Sequence, residues 1–247
     1  MTALSTFPAD LNVAVAGASG GIGAEFVRQL AADSRVARVY ALSRGPVGFP
    51  SDKVTPVHID FGDESSIAAA AGRASGHDLD IVVVATGLLH RGDAVQPEKS
   101  LRDIDPDAMV EAFRTNTVGP ALIAKHFLPR FRREGKTVFA ALSARVGSIG
   151  DNRLGGWISY RASKSALNMV LKTLSIEHAR RFPDGIVAAL HPGTVDTALS
   201  APFQRRVPEH KLFTPEQSVG YLLSVIDGLT AADTGGFFAW DGAPIDF

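Results

Sequence analysis

The chain has no cysteine. That absence excludes disulfide staples, thiolate nucleophiles and cysteine-ligated metal centres. It also lacks an excess of either charge. The 25 Lys and Arg against 26 Asp and Glu leave a formal net charge of −1, with no bulk attraction for nucleic acid or an anionic membrane. No apolar run approaches the ~20 residues of a membrane span. Met1 to Asp10 lacks the basic-then-apolar order of a secretory signal. The seven histidines, at 58, 77, 90, 126, 178, 191 and 210, are scattered, and none stands at metal-ligand spacing from another ligand. We therefore expect a cytoplasmic protein with no metal, nucleic-acid or membrane partner.

What is present is apolar and periodic. Hydrophobic residues make up 45% of the 247, enough for the core of one large α/β domain. Short apolar runs at 11–16, 36–42, 54–59, 79–85, 137–142, 186–190 and 237–240 read as strands. Between them, amphipathic segments at 22–32, 63–73, 107–133, 158–181 and 215–229 read as helices, the third bent near Gly119-Pro120. This alternation predicts an α/β fold: a single-domain, Rossmann-type, doubly wound parallel sheet over residues 1–247. The basic run Arg130, Arg132, Arg133 and Lys136 fits a helix end, where cations suit the dipole.

The first strand runs into Gly17-Ala18-Ser19-Gly20-Gly21-Ile22-Gly23. Gly17 suits a tight turn, Gly21 a close approach of backbone to a pyrophosphate, and Gly23 close packing of helix on sheet. The free N–H groups of the following helix can bind phosphate. Twenty residues after Gly23, an NAD site would want an acid for the ribose 2′-hydroxyl. Ser43 stands there and Arg44 follows, which suits the 2′-phosphate of NADP(H). Asp60 and Phe61, at the end of the third strand, are placed to flank the adenine. The same glycine turn also matches Gly-x-Ser-x-Gly. That raises an alternative serine hydrolase with Ser19 as nucleophile and Asp151 and His191 as partners, although a hydrolase elbow usually follows a later strand.

Tyr160 and Lys164 are four residues apart at the start of the long helix, and so share a face. An ammonium beside a phenol lowers the phenol's pKa and equips it for proton transfer to a carbonyl oxygen. Together, Gly17-x3-Gly21-x-Gly23, Asn116, Tyr160-x3-Lys164 and Pro192-Gly193-Thr194-Val195-Asp196-Thr197 resemble the short-chain dehydrogenase/reductase family, in its order and spacing. The stretch from Gly147-Ser148-Ile149 to Tyr160-Arg161-Ala162-Ser163-Lys164 looks closest to its C-factor and Sniffer-like carbonyl reductase branch.

The resemblance implies Tyr160 as acid/base and Lys164 as the residue that holds the nicotinamide ribose and tunes Tyr160. It implies that Asn116 bends its helix and holds a relay water, and that Pro192, Gly193, Val195 and Thr197 run past the nicotinamide. It further implies a small carbonyl or alcohol substrate, a covering segment at 198–213 and a homodimer or homotetramer. Three departures stand out. Ala16 occupies a frequent threonine position. Val84-Ala85-Thr86-Gly87 replaces Asn-Asn-Ala-Gly, leaving Ala85, Thr86 and Gly87 to line the cofactor. Ala144 falls where the family has its catalytic serine. Ser143 is then the expected orienting hydroxyl, through a one-residue bulge that would swing it into the site, with Ser148 the other candidate. These departures keep open a second alternative, a non-catalytic NADP-binding sensor or signalling protein on the same fold.

Overall fold

The computed structural model describes residues 4–247 apart from Ser75, His77 and Asp93, so His77 lies outside the described residues. Strands β1 (Leu11–Ala16), β4 (Ile81–Val84) and β5 (Thr137–Leu142) are buried at every position. A strand apolar on both faces needs cover on both, which places these three mid-sheet. With β2 (Val36–Ser43), β3 (Val54–His58), β6 (Gly185–His191) and β9 (Phe237–Ala239) they form one sheet in the order β3-β2-β1-β4-β5-β6-β9. Every pairing in it is parallel. A two-residue ribbon, β7 (Thr194–Val195) with β8 (Leu212–Phe213), stands apart.

Helices α1 (Gly21–Ala32) and α6 (Pro215–Gly228) cover one face with Phe26, Leu30, Leu222 and Ile226. On the other face, α2 (Glu64–Arg73), α4 (Gly119–Phe127) and α5 (Ile158–Ala179) bring Ile67, Phe127, Leu167 and Leu171. Full burial of such a side chain contributes about 1.5–3 kcal/mol. The chain winds outward from β1 to β3, then crosses back to β4 and on to β9. The strand order therefore reverses between β1 and β4, and a crevice opens there at the carboxyl ends of the strands.

Two local expectations become more specific. The predicted 107–133 helix is α3 (Pro106–Phe113), a π turn (Arg114–Val118), α4 and a 3-10 turn (Leu128–Arg130). The irregularity is the π turn directly before Gly119-Pro120, where Pro120 has no N–H to offer the carbonyl four residues back. Gly119 is there for packing: the Phe61 ring occupies the space a Cβ would need. The basic run does stand at a helix end, with Arg130 closing the 3-10 turn, and two of its members also make internal contacts. Arg132 pairs with buried Asp80 at 2.5 Å, and Lys136 Nζ donates to Thr6 Oγ1 at 2.9 Å and to the Asp227 carbonyl at 2.5 Å. Among the described residues no helix is long and apolar enough to cross a membrane, and no metal-ligand cluster is present.

Capping separates the helices. Asp63, Asp105 and Thr214 cap α2, α3 and α6 with their own side chains. Neither α1 nor α5 has a side-chain cap at its N-cap residue. Both of these open onto the crevice.

Candidate active site

Two cavities, of about 500 and 590 Å³, meet at the glycine turn: Gly20 lines the first and Ile22 the second. The first gathers Gly17, Ser19, Ser43, Arg44, Asp60 and Phe61, with Ala85, Thr86 and Gly87 opposite. Gly17 holds φ +90°, open to glycine at little cost, and a Cβ there would lie 3.0 Å from the Ala85 backbone. At Gly23 a Cβ would strike the Gly17 carbonyl, and at Gly21 it would come within 2.7 Å of Thr197. The turn therefore presents bare backbone and the uncapped start of α1, an arrangement that fits a phosphate. Thr86 Oγ1 is buried without a partner at the edge of this space. Ser43 is buried and donates its hydroxyl to the Gly45 carbonyl. Arg44 is exposed. Arg114, in the π turn, lines the same cavity and was not singled out in the sequence; its one signal is its place two residues before Asn116.

The second cavity holds Tyr160 with Ser143, Ala144, Pro192, Gly193, Val195 and Thr197, among others. Lys164, one turn along α5, is 2% exposed and donates Nζ to the Leu142 carbonyl at 2.8 Å. Asn116 is fully buried. Its Oδ1 accepts from Leu88 N at 2.7 Å, and its Nδ2 donates to the Leu88 carbonyl and Ser163 Oγ at 2.8 and 3.0 Å. A Cβ built on Gly87 would lie 3.8 Å from Lys164 Nζ and 3.9 Å from Asn116 Oδ1, so both groups face that glycine. Gly193, at φ +78°, leaves room for the Phe213 and Trp240 rings.

Burial pushes the Tyr160 phenol up to about 12 and the Lys164 amine down to about 7. This reverses the expected direction for Tyr160. The Lys164 Nζ lies 5.9 Å from the ring centroid and is turned to a backbone carbonyl. Desolvation of both groups then outweighs their mutual effect.

Ser143 and Ala144 follow directly after β5, and both line the cavity. The β5–β6 register is unbroken through Leu142, so the expected bulge is absent. The Ser143 hydroxyl is buried and donates to Asn168 Oδ1 at 2.6 Å. Ser148 is 1% exposed, accepts from Asp151 N at 3.1 Å, and is not among the cavity-lining residues. The hydrolase constellation does not assemble. Ser19 lines the first cavity and His191 the second, Asp151 pairs with Arg145, and His191 Nδ1 is buried without a partner.

Glu98 was missed entirely. It lies in the segment after β4, 4% exposed, and its carboxylate accepts from Ser159 N at 3.2 Å to each oxygen and from the Ser159 hydroxyl. Its carbonyl accepts from Trp157 N at 2.6 Å. An anion is thus supplied from a distant segment to the positive end of the helix that carries Tyr160. Trp157 sits at φ 52°, ψ 45°, an uncommon region for a bulky residue. It is held there by the Glu98 bond and by ring contacts to Phe203 and Tyr160 at 5.1 and 6.3 Å. Nothing within α5 announces Glu98. The one signal was a negative one, a helix start with no cap of its own.

Sheet order and glycine turn together define a Rossmann-type dinucleotide fold. The chain belongs to the short-chain dehydrogenase family, whose model matches residues 11–207. It is 35% identical over 187 residues to 1-hydroxy-2-glutathionyl-2-methyl-3-butene dehydrogenase of Rhodococcus sp. strain AD45, covering 74% of this chain and 76% of that protein. It is 35% identical over 147 residues to the C-signal protein of Myxococcus xanthus, covering 59% and 82%. Its fold matches an NADPH-bound carbonyl reductase from chicken fatty liver with a TM-score of 0.84, at 27% identity over 99% of this chain and 98% of that one. The carbonyl reductase Sniffer of Drosophila melanogaster shares the fold with a TM-score of 0.83 at 21% identity, over 98% and 100%.

Proposed function

We propose that the protein reduces a carbonyl compound with NADPH, or oxidises the matching alcohol, with Tyr160 as acid/base. The observation that carries this reading is the pairing of half-buried Tyr160 with buried Lys164 at the junction of a phosphate-accepting turn and a largely apolar cavity. The bound nicotinamide would supply the hydride to the carbonyl carbon. A phenol held near 12 is protonated at neutral pH, and Tyr160 gives that proton to the carbonyl oxygen as it becomes an alcohol. Lys164, which faces Gly87, would hold the ribose and resupply the proton, and Asn116 would bend its helix and hold a water of the relay. Arg44, with no acid at Ser43, supports NADP(H) over NAD(H), and the NADPH in the chicken reductase is consistent with that choice.

Leu199, Ser200, Phe203 and Val207 line the Tyr160 cavity, which supports residues 198–213 as the cover over the substrate. Ser143 is our choice for the orienting hydroxyl, because it borders the cavity and Ser148 does not. It must first exchange its bond to Asn168, so its share is smaller than that of Tyr160. That engaged hydroxyl, with Ala144 beside it, also favours a second reading: a cofactor-binding sensor without turnover. One experiment separates the two. NADPH consumption is followed with a panel of aldehydes and ketones for the wild type and Tyr160→Phe. Loss of about 10²- to 10⁴-fold in kcat with unchanged NADPH affinity supports the reductase. A variant within threefold of wild type removes Tyr160 from the chemistry. NADPH binding without turnover of any carbonyl selects the sensor.

A further inference from the structure

The wall of the Tyr160 cavity formed by residues 145–161 carries three arginines: Arg145, Arg153 and Arg161. Asp151 is the one carboxylate among the residues that line the cavity, and its bond to Arg145 is long, at 3.3 Å, with both side chains 49% exposed. An ion pair so open to solvent contributes little. Arg161 is held by backbone alone: Nε donates to the Gly156 carbonyl at 2.9 Å and Nη1 to the Val146 carbonyl at 3.1 Å. Its planar head is thereby fixed, with further N–H donors uncommitted. Arg153 makes one weak contact, 3.5 Å to the Asn152 carbonyl. No carboxylate of the described residues pairs with Arg153 or Arg161. The opposite wall is apolar, with Leu89, Leu199, Phe203 and Val207.

Surface arginines are ordinary. Three on one wall of a concave site, against a single weakly engaged acid, leave a net positive face of two charges beside an apolar one. A cavity lined in this way concentrates an anion, and a guanidinium held in place by its own backbone bonds is pre-organised for a carboxylate.

We propose that the substrate is an oxo acid: a carbonyl compound with an apolar body that carries a carboxylate at a distance from the carbonyl. The carboxylate binds Arg153 and Arg161. The apolar body lies along Leu199, Phe203 and Val207, and the carbonyl oxygen reaches Tyr160. This specificity rests on the reductase reading above. In the balanced reaction the carbonyl carbon gains the hydride of NADPH and its oxygen gains the Tyr160 proton, which is replaced from solvent. The carboxylate is unchanged.

The test pairs two assays. In the first, kcat/KM at saturating NADPH is compared for 4-carboxybenzaldehyde and for the methyl ester of the same aldehyde. The acid should be preferred by about tenfold, the size of one charge-assisted contact. That ratio should fall with added salt and collapse toward one in both Arg153→Ala and Arg161→Lys. Arg161→Lys keeps the charge but not the planar fork, and its melting temperature monitors the fold. Equal use of acid and ester by the wild type, or a ratio that survives Arg153→Ala, overturns the proposal. In the second, benzoate and benzamide are titrated calorimetrically into the NADP-loaded protein. Benzoate should bind more tightly, and Arg153→Ala should abolish the difference. If NADPH binds and no aldehyde is reduced, the reductase reading fails while benzoate selectivity still shows an anion site. If benzoate binds no better than benzamide, the arginine wall has no such role, whatever the enzyme reduces.

Discussion

At the glycine-turn end of the cleft four glycines, Gly17, Gly20, Gly62 and Gly87, line the wall; at the Tyr160 end Gly193 is the one glycine among the lining residues. The first cavity is shaped by Gly17, Gly20 and Gly87 and by the uncapped start of α1, and a methyl group added at Gly17, Gly21 or Gly23 would intrude on a neighbour. The second cavity is assembled from the end of β5, the 145–157 segment, the start of α5 and the 199–207 cover, which lie far apart in sequence. Backbone sites require glycine and a strand-to-helix turn, both local features. Side-chain sites depend on which distant segments come together. The contrast explains why the glycine turn stands out in the sequence while the arginine wall and its apolar cover do not.

The sharpest way to break the first end is Gly23→Ala. The new methyl would strike the Gly17 carbonyl, which is backbone and cannot swing aside. We expect NADPH affinity to fall by more than about 100-fold, or over 2.7 kcal/mol, in a fluorescence titration. Affinity within a few-fold of wild type would mean that the turn is not the phosphate site. Arg44→Ala tests the same end more gently. The preference for NADPH over NADH should drop by about 5- to 150-fold, as dissociation constants for the two cofactors. Equal constants in the wild type would remove Arg44 from that role.

Glu98→Ala probes the other end. Losing the buried carboxylate leaves Ser159 N and the start of α5 without an acceptor, at a cost of about 1–3 kcal/mol in denaturant unfolding. Because α5 carries Tyr160, kcat should fall by about tenfold while the NADPH dissociation constant stays within threefold. Glu98→Asp should recover part of both. A stability loss with kcat unchanged would reduce Glu98 to a structural prop.

The smallest effect per step is a pH slope, at most about 1.4 kcal/mol for each pH unit. The Lys164 amine sits at about 7 in the folded protein against 10.5 for an ordinary lysine. Between those values the unfolded chain binds a proton that the folded chain does not, so stability rises with pH across that window. Melting temperatures measured without added cofactor should show this rise, and Lys164→Met should flatten it. An identical slope in the variant would mean that Lys164 is charged in the folded state.

The sequence by itself determined the sheet, the glycine turn and the Tyr160–Lys164 pair, because each depends on local spacing: short apolar runs, glycines at 17, 21 and 23, and Tyr160 four residues before Lys164 on one helical face. Tertiary structure alone decided what those residues experience. Burial, not the neighbouring ammonium, sets the direction of the Tyr160 shift. Ser143 enters the cavity without a bulge, because β5 ends at Leu142. Ser19 lines a different cavity from Asp151 and His191 despite a permissive order in the chain. Glu98 reaches Ser159 across 61 residues, and the arginines of the 145–161 wall share a cavity with a cover some fifty residues further on. Desolvation and long-range contact depend on which segments pack together, and no local pattern in the chain encodes that.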